Sequence, residues 1–190
     1  MNYEANKFDT VKDRRVFLKA YMRDSRALTK DQTLTLIKNG FCSAPASTKY
    51  HGSYEGGLFD HSMNVAEALV QLTEENGLQW ERPISPVIIG VLHDLCKIDQ
   101  YLYDEASGTY RFNNDLPIKG HGDKSVVYCH EMLGLDLTEE EEACILYHMG
   151  AFTEATEWNN YTSAIHKFPN VLWTHHADMI ATHIMEVENG

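Results

Sequence analysis

Apolar residues recur at three- and four-residue steps along most of the chain, and breaking or capping residues bound each run, which predicts a succession of short helices. Val11, Arg15, Leu18, Met22 and Leu28 lie among alternating charges between Thr10 and Leu28, the pattern of a surface amphipathic helix whose arginines form a solvated face. Thr29 can cap a second helix that runs to Asn39 and stops at Gly40. Residues 41–57 (FCSAPASTKYHGSYEGG) hold too much Gly, Ser and Pro for regular structure and read as a loop. Leu58, His61, Val65, Ala68, Leu69 and Leu72 then share one stripe of a helix through Glu75, so His61 faces the core. The most apolar stretch, residues 84–99 (ISPVIIGVLHDLCKID), places Ile84, Val87, Ile88, Val91, Leu92 and Leu95 at helical steps with only small or apolar residues between. That pattern predicts a helix buried on most of its circumference.

Downstream, two short runs of alternating aromatic and polar residues, 100–103 and 110–112, flank a turn with Gly108 and predict a small hairpin. A helix from about Asp123 to Leu133 follows, with His121 at its approach, where backbone amides and the helix dipole can hold a phosphate. Thr138 and Glu141 form a capping-box pattern opening a helix toward Met149, with His148 beside its apolar face. Residues 151–168 are aromatic and polar and suggest a lid or partly helical excursion. Pro169 opens a last helix through about Val187, on which Val171, His175, Asp178, Thr182 and Met185 line up. The expected fold is all-α, a helical bundle with a small β-hairpin insertion, in a single domain spanning residues 1–190, with a helical extension over 1–49 and a helical core over 50–187.

Chemistry enters where the pattern is interrupted. His93 and Asp94 sit inside the most apolar run, and an imidazole and a carboxylate there are costly unless paired or bound to a cation. Lys97, about one turn on, can reach an anion bound at the Asp94 end. A buried ion pair would satisfy these residues equally well if they stood alone. They do not: His61, His93, Asp94, His121, His148 and Asp178 fall one or two to a segment on five successive segments at near-even intervals. Such spacing is what a bundle produces when each helix points a ligand at a common centre.

The bulk composition narrows the partners. With 43% hydrophobic and 23% charged residues the 190-residue chain is globular in type, and 16 basic against 28 acidic residues give a net charge of −12. That balance argues against binding long nucleic acid through a broad basic face, whereas a metal centre can still hold a small anion. The four cysteines are scattered and read as reduced thiols. No apolar run approaches bilayer length and the start lacks the apolar core of a secretory signal, so a cytoplasmic location without membrane contact is expected.

The residues quoted resemble the HD-domain superfamily of metal-dependent phosphohydrolases: His61 in HSMNVAEAL, His93-Asp94 with Lys97 in VLHDLCK, and Asp178 in HHADMIATH, in the order His, His-Asp, Asp. The resemblance spans roughly residues 50 to 185. His121 and His148 are similar to the further histidines of two-metal members such as the HD-GYP cyclic dinucleotide phosphodiesterases, although the GYP signature is missing and Gly57 stands where those enzymes place an acidic ligand. A closer local likeness, in HGSYEGGLFDHS, KIDQY, GHGDKS and YHMGAF, is to the HD domain of bacterial 3′-5′ exoribonucleases and of some relaxase-associated proteins. The OB-type domain accompanying such exonucleases has no counterpart here, since nothing before residue 50 reads as strands.

The resemblance implies one metal held by His61, His93, Asp94 and Asp178 and a second held by His121 and His148 with Asp94 bridging. The ions would be one or two of Mn, Fe, Zn, Co or Ni, with metal-activated hydroxide attacking phosphorus. It also implies Asp94 and Lys97 as catalytic residues. His51, Tyr54, Lys97 and Lys119 are the candidates for contact with a small phosphorylated substrate, a nucleotide, cyclic nucleotide or short oligonucleotide. His166, His175, His176 and His183 read as surface or packing histidines, with His175 a possible support for Asp178. Two other readings are open: an exoribonuclease-like enzyme or one-metal nucleotidase, and a non-catalytic module that senses a nucleotide or uses the metal to cross-link its helices.

Overall fold

The computed structural model describes residues 8–49, 52–116, 118–152 and 155–186. Among these it contains eight α-helices and one two-stranded sheet, so the fold is all-α with a small hairpin. Helix α1 (Val11–Ser25) starts where the Thr10 side chain accepts from the Asp13 amide, and ends at Arg26 in the left-handed region. Helix α2 (Lys30–Lys38) opens with a full capping box between Thr29 and Gln32. After the loop, α3 (Gly57–Asn76) runs to a left-handed Gly77, and α4 (Ser85–Leu92) follows with Pro86 in its first turn.

The buried helix expected over residues 84–95 is divided. It ends at Leu92, Asp94 adopts φ −105° and ψ 21°, and Leu95–Ile98 continues as a 3₁₀ turn. This break turns the dyad out of the α-helical repeat. The antiparallel hairpin β1 (Tyr101–Asp104) and β2 (Thr109–Phe112) pairs Tyr101 with Phe112. Helices α5 (Gly122–Glu131) and α6 (Glu139–Tyr147) come next, α6 with the Thr138–Glu141 capping box that the sequence predicts. The excursion of residues 151–168 resolves into 3₁₀ turns at Gly150–Phe152 and Ala155–Glu157 and helix α7 (Trp158–Lys167). Helix α8 (Asn170–Ile180) ends the bundle, but its last stretch, Ala181–Met185, is a π-helical turn rather than a continuation.

One apolar cluster joins the elements, from Leu18 and Leu36 through Phe59, Leu69, Ile89 and Leu92 to Ile145, Val171 and Ala181. Two glycines let helices approach more closely than side chains would allow. A Cβ on Gly90 would lie 2.3 Å from Ala66 Cα, so α4 meets α3 backbone to backbone. A Cβ on Gly122 would lie 2.2 Å from Leu146 O, so the start of α5 is pressed onto the end of α6. Buried ion pairs fix the outer elements. Arg14, which the amphipathic pattern assigns to a solvated face, is only 7% exposed and lies 3.1 Å from Asp60 Oδ2, because α1 lays that edge against α3. Glu141 accepts from Ser85 Oγ at 2.7 Å and from Arg82.

Gly90→Ala must push α4 off α3. The expected cost is about 1–3 kcal/mol, the range for overpacked cores, read as a lowered urea midpoint at unchanged m-value.

Candidate metal centre

The six residues converge from five segments: His61 from the second turn of α3, His93 and Asp94 from the end of α4, His121 from the N-cap of α5, His148 from the C-cap of α6 and Asp178 from α8. The helical stripe that carries His61 inward is the one legible in the sequence. The two glycine contacts do the rest of the positioning. With α3 and α4 in backbone contact, the His61 and His93 rings stand 5.2 Å apart, and with α5 against α6 the His121 and His148 rings stand 4.9 Å apart.

The outer nitrogen of each deeply buried ring is committed to an oxygen. His93 Nδ1 lies 2.9 Å from Gly90 O and His148 Nδ1 2.6 Å from Ile145 O, each three residues back on the helix the histidine caps. His61 Nδ1 lies 2.8 Å from Glu186 Oε1. Carbonyl and carboxylate oxygens only accept, so Nδ1 carries a proton in all three and Nε2 points inward, a lone pair on each ring in its neutral form. His61 Nε2 is 3.2 Å from His93 Nε2 and 3.2 Å from Asp178 Oδ1.

Asp94 sits between the two halves. Its Oδ2 lies 3.4 Å from His93 Nε2, 3.5 Å from His61 Nε2 and 2.6 Å from Lys97 Nζ, while Oδ1 lies 3.0 Å from His121 Nε2 and 3.6 Å from His148 Nε2. The Oδ1 contacts are close approaches rather than aligned hydrogen bonds, and both Asp94 Oδ1 and His148 Nε2 are buried without a hydrogen-bond partner. Buried polar atoms in that condition are uncommon and costly. The protonation pattern shows the same demand for positive charge. Burial opposes a charge on His61, but hydrogen bonds to Asp178 and Glu186 outweigh it and push its pKa up to about 10. Burial likewise opposes ionisation of Asp94, yet Lys97, His93 and His121 hold its carboxyl well below the usual range.

Converging imidazole lone pairs and carboxylates are the donors that a divalent cation takes, and these buried residues can hold a metal ion. The groups His61–His93–Asp178 and His93–Asp94–His148 each bring their ligand atoms within 4.8 Å of one another, as does Asp94–Cys96–His121.

No family model, curated protein or solved structure matches the chain.

Of the residues expected to contact substrate, His51 lies outside the described residues. Lys97 is at the centre, paired with Asp94. Tyr54 donates from its hydroxyl to Asp60 Oδ2 at 3.0 Å, one residue from His61, with much of its ring exposed. Lys119 is exposed and lines a 330 Å³ cavity with Gln100, Asn113 and Asn114, beyond Gly120 from the centre. The phosphate position expected at the start of α5 is filled by the chain itself, since Asp123 Oδ1 accepts from the His121 amide at 2.8 Å. His175 supports His148, donating to its carbonyl at 2.9 Å, rather than Asp178. His166, His176 and His183 are at the surface as expected.

Two participants escape the sequence pattern. Cys96 Sγ lies 3.4 Å from His121 Nδ1, its thiol pushed up to about 12 by burial, so it stands as a protonated neighbour of that ring. Glu186 is the second, also contacted by Asn64 Nδ2 at 3.3 Å. An α-helix repeats about every 3.6 residues, which would rotate a residue eight beyond Asp178 off its face; a turn closed i→i+5 takes in about one residue more and brings it back. The π-helical turn therefore aligns Glu186 with Asp178, and helical periodicity alone hides it.

Adding manganese or zinc to chelator-treated protein is expected to raise its melting temperature, corresponding to about 2.7 kcal/mol at a hundredfold excess over Kd. His148→Gln should remove much of that rise. Glu186→Ala should weaken metal binding by about 10–100-fold, the usual cost of losing the carboxylate behind a histidine ligand. Glu186→Gln, which keeps an acceptor oxygen, should weaken it less, as titration calorimetry would show.

Proposed function

We propose that this chain is a metal-dependent phosphohydrolase of the HD-domain type, acting on the phosphoester of a nucleotide or a similarly small phosphorylated compound. The observation that supports this reading best is the division of Asp94. One oxygen faces His61 and His93, beside Asp178, and the other faces His121 and His148, as expected of a carboxylate shared by two cations. His61, His93, Asp178 and Asp94 Oδ2 would hold one ion, and His121, His148 and Asp94 Oδ1 the other. The donor set suits Mn, Fe, Zn, Co or Ni.

A bound divalent ion supplies Lewis acidity toward phosphate oxygens and acidifies its water enough to yield a nucleophile near neutral pH. The protein's own groups do the remainder. Gly90 O, Ile145 O and Glu186 hold three rings in the tautomer that presents Nε2. Leu92 and Leu95, both fully buried on either side of the dyad, keep the surroundings apolar, which strengthens every charge interaction there. The Lys97 ammonium, held at Asp94, is placed to stabilise negative charge building on a phosphate at that end.

Chelated protein should not hydrolyse bis-p-nitrophenyl phosphate, and manganese should restore turnover. Asp94→Ala should lower the restored kcat/KM by more than about 100-fold, beyond the usual cost of losing a supporting group; retained turnover in that variant would reject the mechanism.

A further inference from the structure

The centre is closed on most sides. The side chains of His61, His93, Asp94 and His148 are at most 3% exposed, whereas 30% of the His121 side chain reaches solvent. A ligand therefore approaches past His121. That residue forms part of the wall of a cavity of about 440 Å³, whose other walls include Asp123, Leu146, Tyr147, Phe152 and Glu157. The volume falls within the range of about 300–1,000 Å³ usual for small-molecule sites.

The wall has two chemical features. Its aromatic component is accessible: Phe152 presents 66% of its surface, and Tyr147 lines the same cavity. Its charged groups are carboxylates, with no Lys or Arg among the described lining residues. Asp123 uses Oδ1 on the His121 amide, and Glu157 uses Oε2 on Asn160 Nδ2 at 2.8 Å, so each has a second oxygen to offer. Beyond Tyr147 a further cavity of about 430 Å³ runs past Glu139 and Glu142, where Lys167 is paired with Glu139.

We propose that this cavity is the subsite for the organic part of the substrate and selects an uncharged, flat, hydrogen-bond-donating ring system, that is, a nucleoside carrying a single phosphate. The ring stacks on Phe152, and its amino and hydroxyl groups donate to Asp123 and Glu157. A second phosphate on this side meets Asp123 and Glu157 with no lysine or arginine among the described lining residues, and a longer strand would have to lay its next phosphates along Glu139 and Glu142, where Lys167 is already paired. Both polyphosphates and RNA strands are thereby disfavoured. The direction of approach rests on the hydrolase reading, but the recognition is testable by binding alone.

The test is calorimetric titration of the manganese-loaded chain with adenosine 5′-monophosphate, ribose 5-phosphate and adenosine 5′-triphosphate. The monophosphate should bind at least about fivefold more tightly than ribose 5-phosphate, the low end for one base–aromatic stack, and more tightly than the triphosphate. Phe152→Ala, at an exposed position, should erase the first difference, and Glu157→Lys should shrink or reverse the second. Equal binding of the monophosphate and ribose 5-phosphate, or tighter binding of the triphosphate, would overturn the proposal. The expected binding pattern without turnover of bis-p-nitrophenyl phosphate would reject the hydrolase reading and leave the subsite standing. Turnover without any preference for the ring would reject the subsite alone.

Discussion

Three buried imidazoles have their outer nitrogens tied to oxygen acceptors, and the rest of the centre follows from that commitment. Once Gly90 O, Ile145 O and Glu186 accept from the Nδ1–H groups, the Nε2 atoms turn toward each other and toward two carboxylates in a place that water barely reaches. Electron pairs gathered in a low-dielectric interior repel unless positive charge joins them. The protein meets part of that demand with the Lys97 ammonium and with a His61 far more basic than an ordinary histidine. Asp94 Oδ1 and His148 Nε2 are left 3.6 Å apart, each buried without a hydrogen-bond partner.

Helix ends accomplish this more simply than helix middles could. The final turn of an α-helix has carbonyls with no intrahelical partner, and a histidine at the C-cap can fold its Nδ1 back onto one of them. His93 and His148 both do so, with the same three-residue offset. Each thereby satisfies a free carbonyl and fixes its own tautomer in one contact. The price is that the helices must stop at the centre, which is why α4 breaks at the dyad and α6 ends where α5 begins. Gly90 and Gly122 supply the close approaches that bring those ends into register.

Charge is distributed in keeping with this. The chain is strongly acidic overall, yet Arg14, Arg82 and Lys124 are spent on internal partners, Asp60, Glu141 and Asp99 respectively. The approach past His121 is bordered by carboxylates, Asp123 and Glu157, with no lysine or arginine among the described lining residues. Such an arrangement favours a ligand with one anionic group directed inward and an uncharged remainder.

How much of this was legible without coordinates depends on the range of the interaction. The cap at Thr29, the capping box at Thr138, the stop at Gly77, the hairpin turn and the inward stripe of His61 are local, because backbone amides and helical steps involve residues within a turn or two of each other. The all-α class and the candidate ligands follow from that periodicity. Tertiary structure alone decided the long-range matters: that Arg14 leaves its charged face to meet Asp60, that Cys96 stands beside His121, and that a π-helical turn swings Glu186 back to His61. Each of these pairs residues through a third element's position, and spacing along a chain carries no record of how closely two helices pack.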